Sequence, residues 1–404
     1  MVTRRYFLKS TGVALASFAG APHFLMRTAF AQTTPSYKKN SPIIIAIFQR
    51  GAADGISMVA PFGDKSYYSV RPQIAIPEPK SGSEERAIDL DGFFGLHPAL
   101  AGLKPIYDQR HLAIVHAVGS PSNSRSHFDA QDYMESGAPD NKNVPDGWLN
   151  RYVQTNPEGD ATPFRAVAIS PNVPRSLMGP AQAVAMTRVT DFGLRAGLAT
   201  PQIEEVFADL YKDTFEAVKM LRQSIPQQYI PASGVQYPNS GFGQTLMQIA
   251  QLVKAEVGLD VAFADVGGWD THANQGSSRG QLAARLKDFG DSLAALYRDL
   301  GDRMQNVVIL TMTEFGRAIQ QNGSGGTDHG HASCLFVAGG SVTGGKVYGR
   351  WPGLASEQLF ERRDLAVTTD FRDVFSEILI KHMHAKDVTK VFPGFKPAAT
   401  LNIL

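Results

Sequence analysis

The sequence predicts an α/β fold, a three-layer α/β/α sandwich with a mostly parallel central sheet, on three observations. Short, continuous apolar runs recur along the chain, as strands buried on both faces of a parallel sheet require. Segments with helical spacing alternate with those runs, which places helices on both faces of the sheet. Polar, glycine-containing loops follow most of the runs, at the strand ends where open α/β sheets gather their working residues.

Taken in order, Thr3-Arg4-Arg5-Tyr6-Phe7-Leu8-Lys9 pairs two arginines ahead of a modestly apolar stretch, the pattern of a twin-arginine export signal. Ala29-Phe30-Ala31 offers the small residues a signal peptidase needs, so cleavage is expected before Gln32. His23 and Arg27 interrupt the apolar stretch, which falls short of the roughly 20 residues that span a bilayer, so no stable membrane span is expected after cleavage. These features predict residues 1–31 as signal, the twin-arginine translocation machinery as a partner, and a periplasmic or extracellular location.

After a polar linker, Pro42–Phe48 is the first expected strand, ending in the turn Arg50-Gly51-Ala52-Ala53-Asp54-Gly55. Pro98–Arg110 has helical spacing, Leu112–Val118 reads as a second strand, and a helix is expected from Ser126. Phe164–Ile169 and Ala183–Met186 read as shorter strands, in a hairpin or in a cap within 160–245. Helices are expected over Gln202–Ser224 and Thr245–Glu256. Leu259–Ala264, Val307–Met312 and Leu335–Ala338 are further strands, with helices over Gly280–Met304 and Asp370–His382. A single domain over 42–404 accommodates all of them.

With 39 basic against 38 acidic residues, the formal charge is +1, so no overall field draws in nucleic acid. Cys334 is the single cysteine, which rules out an intrachain disulfide framework.

The polar groups of interest cluster at strand ends. Asp54, in a glycine-rich turn, reads as a metal ligand or as an ordinary turn residue. Asp270 and His272 pair a hard oxygen with an imidazole in one loop, and Asp328, His329 and His331 lie within one short glycine-containing loop. Glu314 directly follows a buried strand, where a carboxylate needs a metal or a partner such as Arg317. Ser126, at a helix start, is a candidate nucleophile or a helix cap boxed with Asp129. Arg125 is placed to grip a phosphate or sulfate oxygen pair. His127 reads equally as a structural hydrogen bonder or a ligand; His97 and His116 read as core histidines, and the 347–353 segment as packing.

Together, Arg50–Gly55, Ser124–Asp129, Gly267–His272, Thr313–Arg317 and Gly326–His331 resemble the exported bacterial family catalogued as domain of unknown function 1501. That family is similar to the alkaline-phosphatase and sulfatase superfamily. The resemblance implies an alkaline-phosphatase-like fold binding one or two divalent metals, with zinc, calcium, magnesium and manganese all open. It makes Asp54 the first ligand, Ser126 the nucleophile, Asp270 and His272 a ligand pair, and His331 or His329 the late histidine. One departure stands out: Glu314-Phe315 occupies the place of the superfamily's Asp-His pair, so one imidazole is missing. The expected function is an exported metal-dependent hydrolase of small phosphate or sulfate esters. The alternative is a non-catalytic metal-binding or assembly protein of the cell envelope.

Overall fold

The computed structural model describes residues 41–157, 162–191, 228–398 and 400–404. The export signal and the helix expected over Gln202–Ser224 lie outside the described residues.

Among the described residues, nine strands form the main sheet: β1 (Ile43–Gln49), β2 (Leu112–Gly119), β3 (Ala166–Ala168), β4 (Val184–Ala185), β5 (Val261–Val266), β6 (Val307–Met312), β7 (Ser333–Gly339), β8 (Lys346–Tyr348) and β9 (Thr369–Asp370). They run in the order β8-β2-β7-β6-β1-β5-β3-β4, with β9 also paired to β2. All pairings are parallel except those of β7, which runs antiparallel to both β2 and β6. This one reversal brings the loop before β7 to the sheet edge that holds the loops after β1, β2, β5 and β6.

Alternation along β1 separates the two cores. Ile45 and Ile47 point into one cluster, while Ile44, Ala46 and Phe48 point into the other. The first cluster is covered by α3 (Gly241–Lys254) and α4 (Gln281–Leu300), the second by α2 (Trp148–Thr155) and α5 (Phe371–Lys381). Helices on both faces give the three layers that the alternating pattern predicts.

Two expectations change. β3 and β4 pair in parallel (Val167 with Val184) and extend the main sheet beside β5, where a hairpin or cap was expected. Lys346–Tyr348, read as a packing loop, is an edge strand beside β2, although Trp351 does pack against Phe94 and His116.

Candidate metal centre

Four loops and one helix meet at the carboxyl edge of the sheet. The helix, α1 (His127–Ser136), begins after β2, and Ser126 stands at its N-cap position in extended conformation. His127 and Gln131 lie one turn apart on α1, so they share a face. Both donate to Glu314 Oε1, His127 through Nδ1 at 2.8 Å and Gln131 through Nε2 at 3.0 Å. The Gly51 amide gives that oxygen a third bond at 2.8 Å. Gly51 adopts φ +117°, and a Cβ there would lie 2.8 Å from the Asp270 nitrogen, so this turn needs glycine.

The loop after β5 is pinned by Trp269, which is fully buried, lies edge-on to Phe289, and donates to the Val266 carbonyl at 2.9 Å. That anchor holds the neighbouring Asp270 and His272 at the surface. The loop before β7 is fixed by backbone bonds to the strand-end segment after β6, Gly316 N to His331 O and Ala318 N to Asp328 O. His329 is thereby turned inward, and its Nδ1 donates to the Arg125 carbonyl at 2.8 Å.

The ligand atoms of His127, Asp270 and His329 all lie within 4.8 Å of one another. His272 joins them, its Nε2 3.0 Å from both Asp270 Oδ1 and His329 Nε2. Its Nδ1 is turned to the Asp328 carboxylate at 3.3 Å. The second Asp270 oxygen is 3.5 Å from His127 Nε2. Proton bookkeeping gives this geometry its meaning. Each Nδ1 faces a group that can only accept, a carboxylate or a carbonyl, so the neutral rings carry their proton there. Every Nε2 then presents a lone pair toward the Asp270 carboxylate, and those of His272 and His329 face each other. His127 Nε2 is buried without a hydrogen-bond partner. Such a set of acceptors suits a cation, and imidazoles held by acceptors on their far nitrogens are the usual arrangement around a protein-bound metal. The donor set therefore fits a divalent ion.

The charges are consistent with this. Burial opposes ionisation of Asp270, but the buried Arg317, at 2.5 Å, outweighs it and holds the carboxyl below its usual range. Burial likewise opposes the Glu314 charge, and the bonds from His127, Gln131 and Gly51 overcome it. The Glu314 bond raises the pKa of His127, whereas burial lowers that of His329.

Several candidates stand elsewhere. Asp54 is buried, and its Oδ2 accepts from Arg71 Nη1 at 2.6 Å, Ser57 Oγ at 2.8 Å and Gln275 Nε2 at 2.6 Å, so it faces an arginine and stands outside the cluster, with its Oδ1 buried and without a hydrogen-bond partner. Glu314 orients His127 and does not enter the cluster, nor does it pair with Arg317, which serves Asp270. Asp328 sits behind His272. His331 is buried under Phe360, its Nε2 donating to the Ser120 and Ser122 carbonyls at 3.1 Å each, which keeps it away from the centre. The Arg125 guanidinium is occupied by buried Asp364, at 2.6 and 2.9 Å, and by Glu361 at 2.6 Å. Ser126 is exposed and makes no capping bond, and Asp129 pairs with Lys142, so there is no capping box.

His127 is the member of the cluster that sequence reasoning left undecided. The available signal was the polar stripe His127, Gln131, Glu135 at helical spacing, a face that the first core position of a surface helix would not carry. Phe315 explains the missing imidazole: it is buried, with its ring 5.0 Å from the rings of both His127 and His329, forming an apolar floor under them.

Fold and site define an α/β sandwich protein with a candidate nitrogen-rich metal centre on the carboxyl edge of its sheet. The chain belongs to the family described as "Protein of unknown function (DUF1501)", whose model matches residues 111–392. The match includes every member of the cluster and begins after Asp54. No curated protein matches the chain in sequence. Among solved structures, the chain is similar to Ps i-CgsB in complex with k-i-k-neocarrahexaose, at 10% identity and TM-score 0.43, covering 90% of this chain and 75% of that one. It is also similar to PsFucS1 sulfatase from Pseudoalteromonas sp. (11% identity, TM-score 0.38, 98% and 76% covered). A third is the alkaline phosphatase from the Antarctic bacterium TAB5 (10% identity, TM-score 0.30, 74% and 91% covered). Among the described residues, no helix is long and apolar enough to cross a membrane.

Proposed function

We propose that this protein is a twin-arginine-exported, metal-dependent hydrolase of small phosphate or sulfate esters. Its centre holds one divalent ion through His127, Asp270, His272 and His329. One observation carries the reading: the ligand atoms of His127, Asp270 and His329 lie within 4.8 Å of one another, and His272 Nε2 lies 3.0 Å from both Asp270 Oδ1 and His329 Nε2. Three nitrogen donors favour zinc or another imidazole-preferring transition ion over calcium, magnesium or manganese, which prefer oxygen-rich shells.

When bound, such an ion supplies Lewis-acid polarisation to an anionic ester. The chain's own residues supply orientation. Glu314 fixes the His127 ring and its tautomer, the Arg125 carbonyl does so for His329, and Arg317 holds Asp270 in its ionised form. Ser126, exposed and free of capping duty immediately before His127, is the candidate nucleophile. The twin-arginine pattern at Arg4-Arg5 supports export of a chain already folded, with its ion loaded beforehand.

A second reading has its own support. Because Asp364 and Glu361 occupy Arg125, the described site offers no free guanidinium fork for the ester, which favours a metal-binding envelope protein without turnover. Metal content by mass spectrometry, together with turnover of generic phosphate and sulfate esters, separates the two. Stoichiometric metal and turnover, both lost in His329→Ala, support the hydrolase; metal without turnover supports the second reading. Absence of metal from the mature wild-type protein would sink both.

A further inference from the structure

The two loops that bear Asp270, His272 and His329 come from different parts of the chain, yet one buried side chain links them. Gln275 is fully buried. Its Oε1 accepts from Thr271 Oγ1 at 2.8 Å and from Thr327 Oγ1 at 2.9 Å. Thr271 lies between Asp270 and His272, and Thr327 lies two residues before His329. A backbone bond from Thr327 N to Thr271 O, at 3.1 Å, closes the junction. The amide cannot turn over, because its Nε2 donates to Asp54 Oδ2 at 2.6 Å and to Ser57 Oγ at 3.2 Å.

The chain of contacts continues at both ends. Arg71, bound to Asp54, also donates to the carbonyls of Ala318 and Ile319, just beyond Arg317. Arg317 Nε donates to Thr327 Oγ1 at 3.1 Å, and its Nη1 holds Asp270. Asp54, Ser57, Arg71, Thr271, Gln275, Arg317 and Thr327 are all buried. Burying so many polar groups, two of them guanidiniums, costs more than apolar packing of the same volume. Rigid spacing of the ligand loops is what the arrangement secures in return.

We propose that Gln275 is the positioning residue that sets the distance between the Asp270/His272 loop and the His329 loop, with Asp54 fixing the orientation of its amide. The inference rests on the metal reading for its consequence, but its structural core does not.

Gln275→Met keeps the length of the side chain while removing both acceptor bonds; Thr271→Val and Thr327→Val each remove one and guard against a variant that fails to fold. Amide hydrogen exchange of the metal-free proteins and zinc affinity by chelator competition are then compared. Exchange at the Thr327 amide is expected to accelerate, and zinc affinity to fall 10–100-fold, the usual scale for a residue supporting a ligand, with a smaller loss in each threonine variant. Unchanged exchange at Thr327 in all three variants, or faster exchange with undiminished zinc affinity, would overturn the proposal. Faster exchange in a protein whose wild type binds no zinc would instead overturn the metal reading and leave Gln275 as the junction of the loops.

Discussion

Two aspartate–arginine pairs stand at the same sheet edge and show opposite economies. Asp54–Arg71 is buried on both sides, with side-chain exposures of 1% and 0%. Arg71, Ser57 and Gln275 all donate to one oxygen of its carboxylate. Asp270–Arg317 joins an equally buried arginine to a carboxylate that is 42% exposed and surrounded by imidazole lone pairs. The same two residue types therefore serve as a structural lock in one place and as part of a candidate metal shell in the other. What distinguishes them is the direction of the surrounding donors, not the presence of the carboxylate.

The sharpest break in this comparison is expected at Asp54. Asp54→Ala leaves the Arg71 guanidinium buried and uncompensated, a loss of about 3–5 kcal/mol in denaturant unfolding. The same pair has a pH signature. Burial raises the Asp54 pKa, but Arg71 and the bonds from Ser57 and Gln275 outweigh it and leave the folded carboxyl below its ordinary value. Its contribution is thus fully present above the unfolded value of about 3.9 and lost as pH falls through the lower, folded one. Wild-type stability should decline steeply below about pH 4, and the Asp54→Ala curve should be flatter there; equal slopes would deny the lock.

On the other side of the comparison, Glu314→Ala should lower zinc affinity 10–100-fold, because the His127 ring loses the acceptor that sets its tautomer. An affinity equal to wild type in chelator competition would remove His127 from the shell. Asp270→Asn should abolish tight binding yet cost less stability in the metal-free protein than Asp54→Ala, since Asn keeps an acceptor for Arg317 and the carboxylate side of the pair is open to water. A stability loss as large as that of Asp54→Ala would erase the distinction between the two pairs.

Much of the frame was legible because apolar runs bounded by glycine-rich loops leave few alternatives: β1, β2, β6 and β7 fall on the runs that predict them. The reversal of β7 was not legible, since a strand buried on both faces carries no mark of direction. The site was legible as residue types, not as a shell. Asp270, His272 and His329 converge, whereas Asp54 stands apart from them because Arg71, 17 positions on, folds back to it. Asp328 and His331 flank His329 on a turn that points neighbouring side chains in different directions. His127 was obscured because a histidine at a helix start is satisfied in many ways, and its role emerges only with Glu314 beneath it. Arg125 looked available for an anion until Asp364, far along the chain, proved to hold it.

The smallest expected stability effect is at Ser126, and there it is most informative. A serine at an N-cap that bonds the first-turn amides contributes about 1 kcal/mol, and its replacement by alanine removes that. Here the Ser126 side chain makes no such bond, and α1 is instead fastened through His127 and Gln131 to Glu314. Ser126→Ala should therefore unfold within about 0.5 kcal/mol of wild type, as a surface substitution does, and should bind zinc equally well. If the protein turns over esters with Ser126 as nucleophile, the same variant loses that activity while fold and metal stay intact. A loss near 1 kcal/mol with activity retained would assign Ser126 to the helix and leave the nucleophile to be sought among water molecules at the centre.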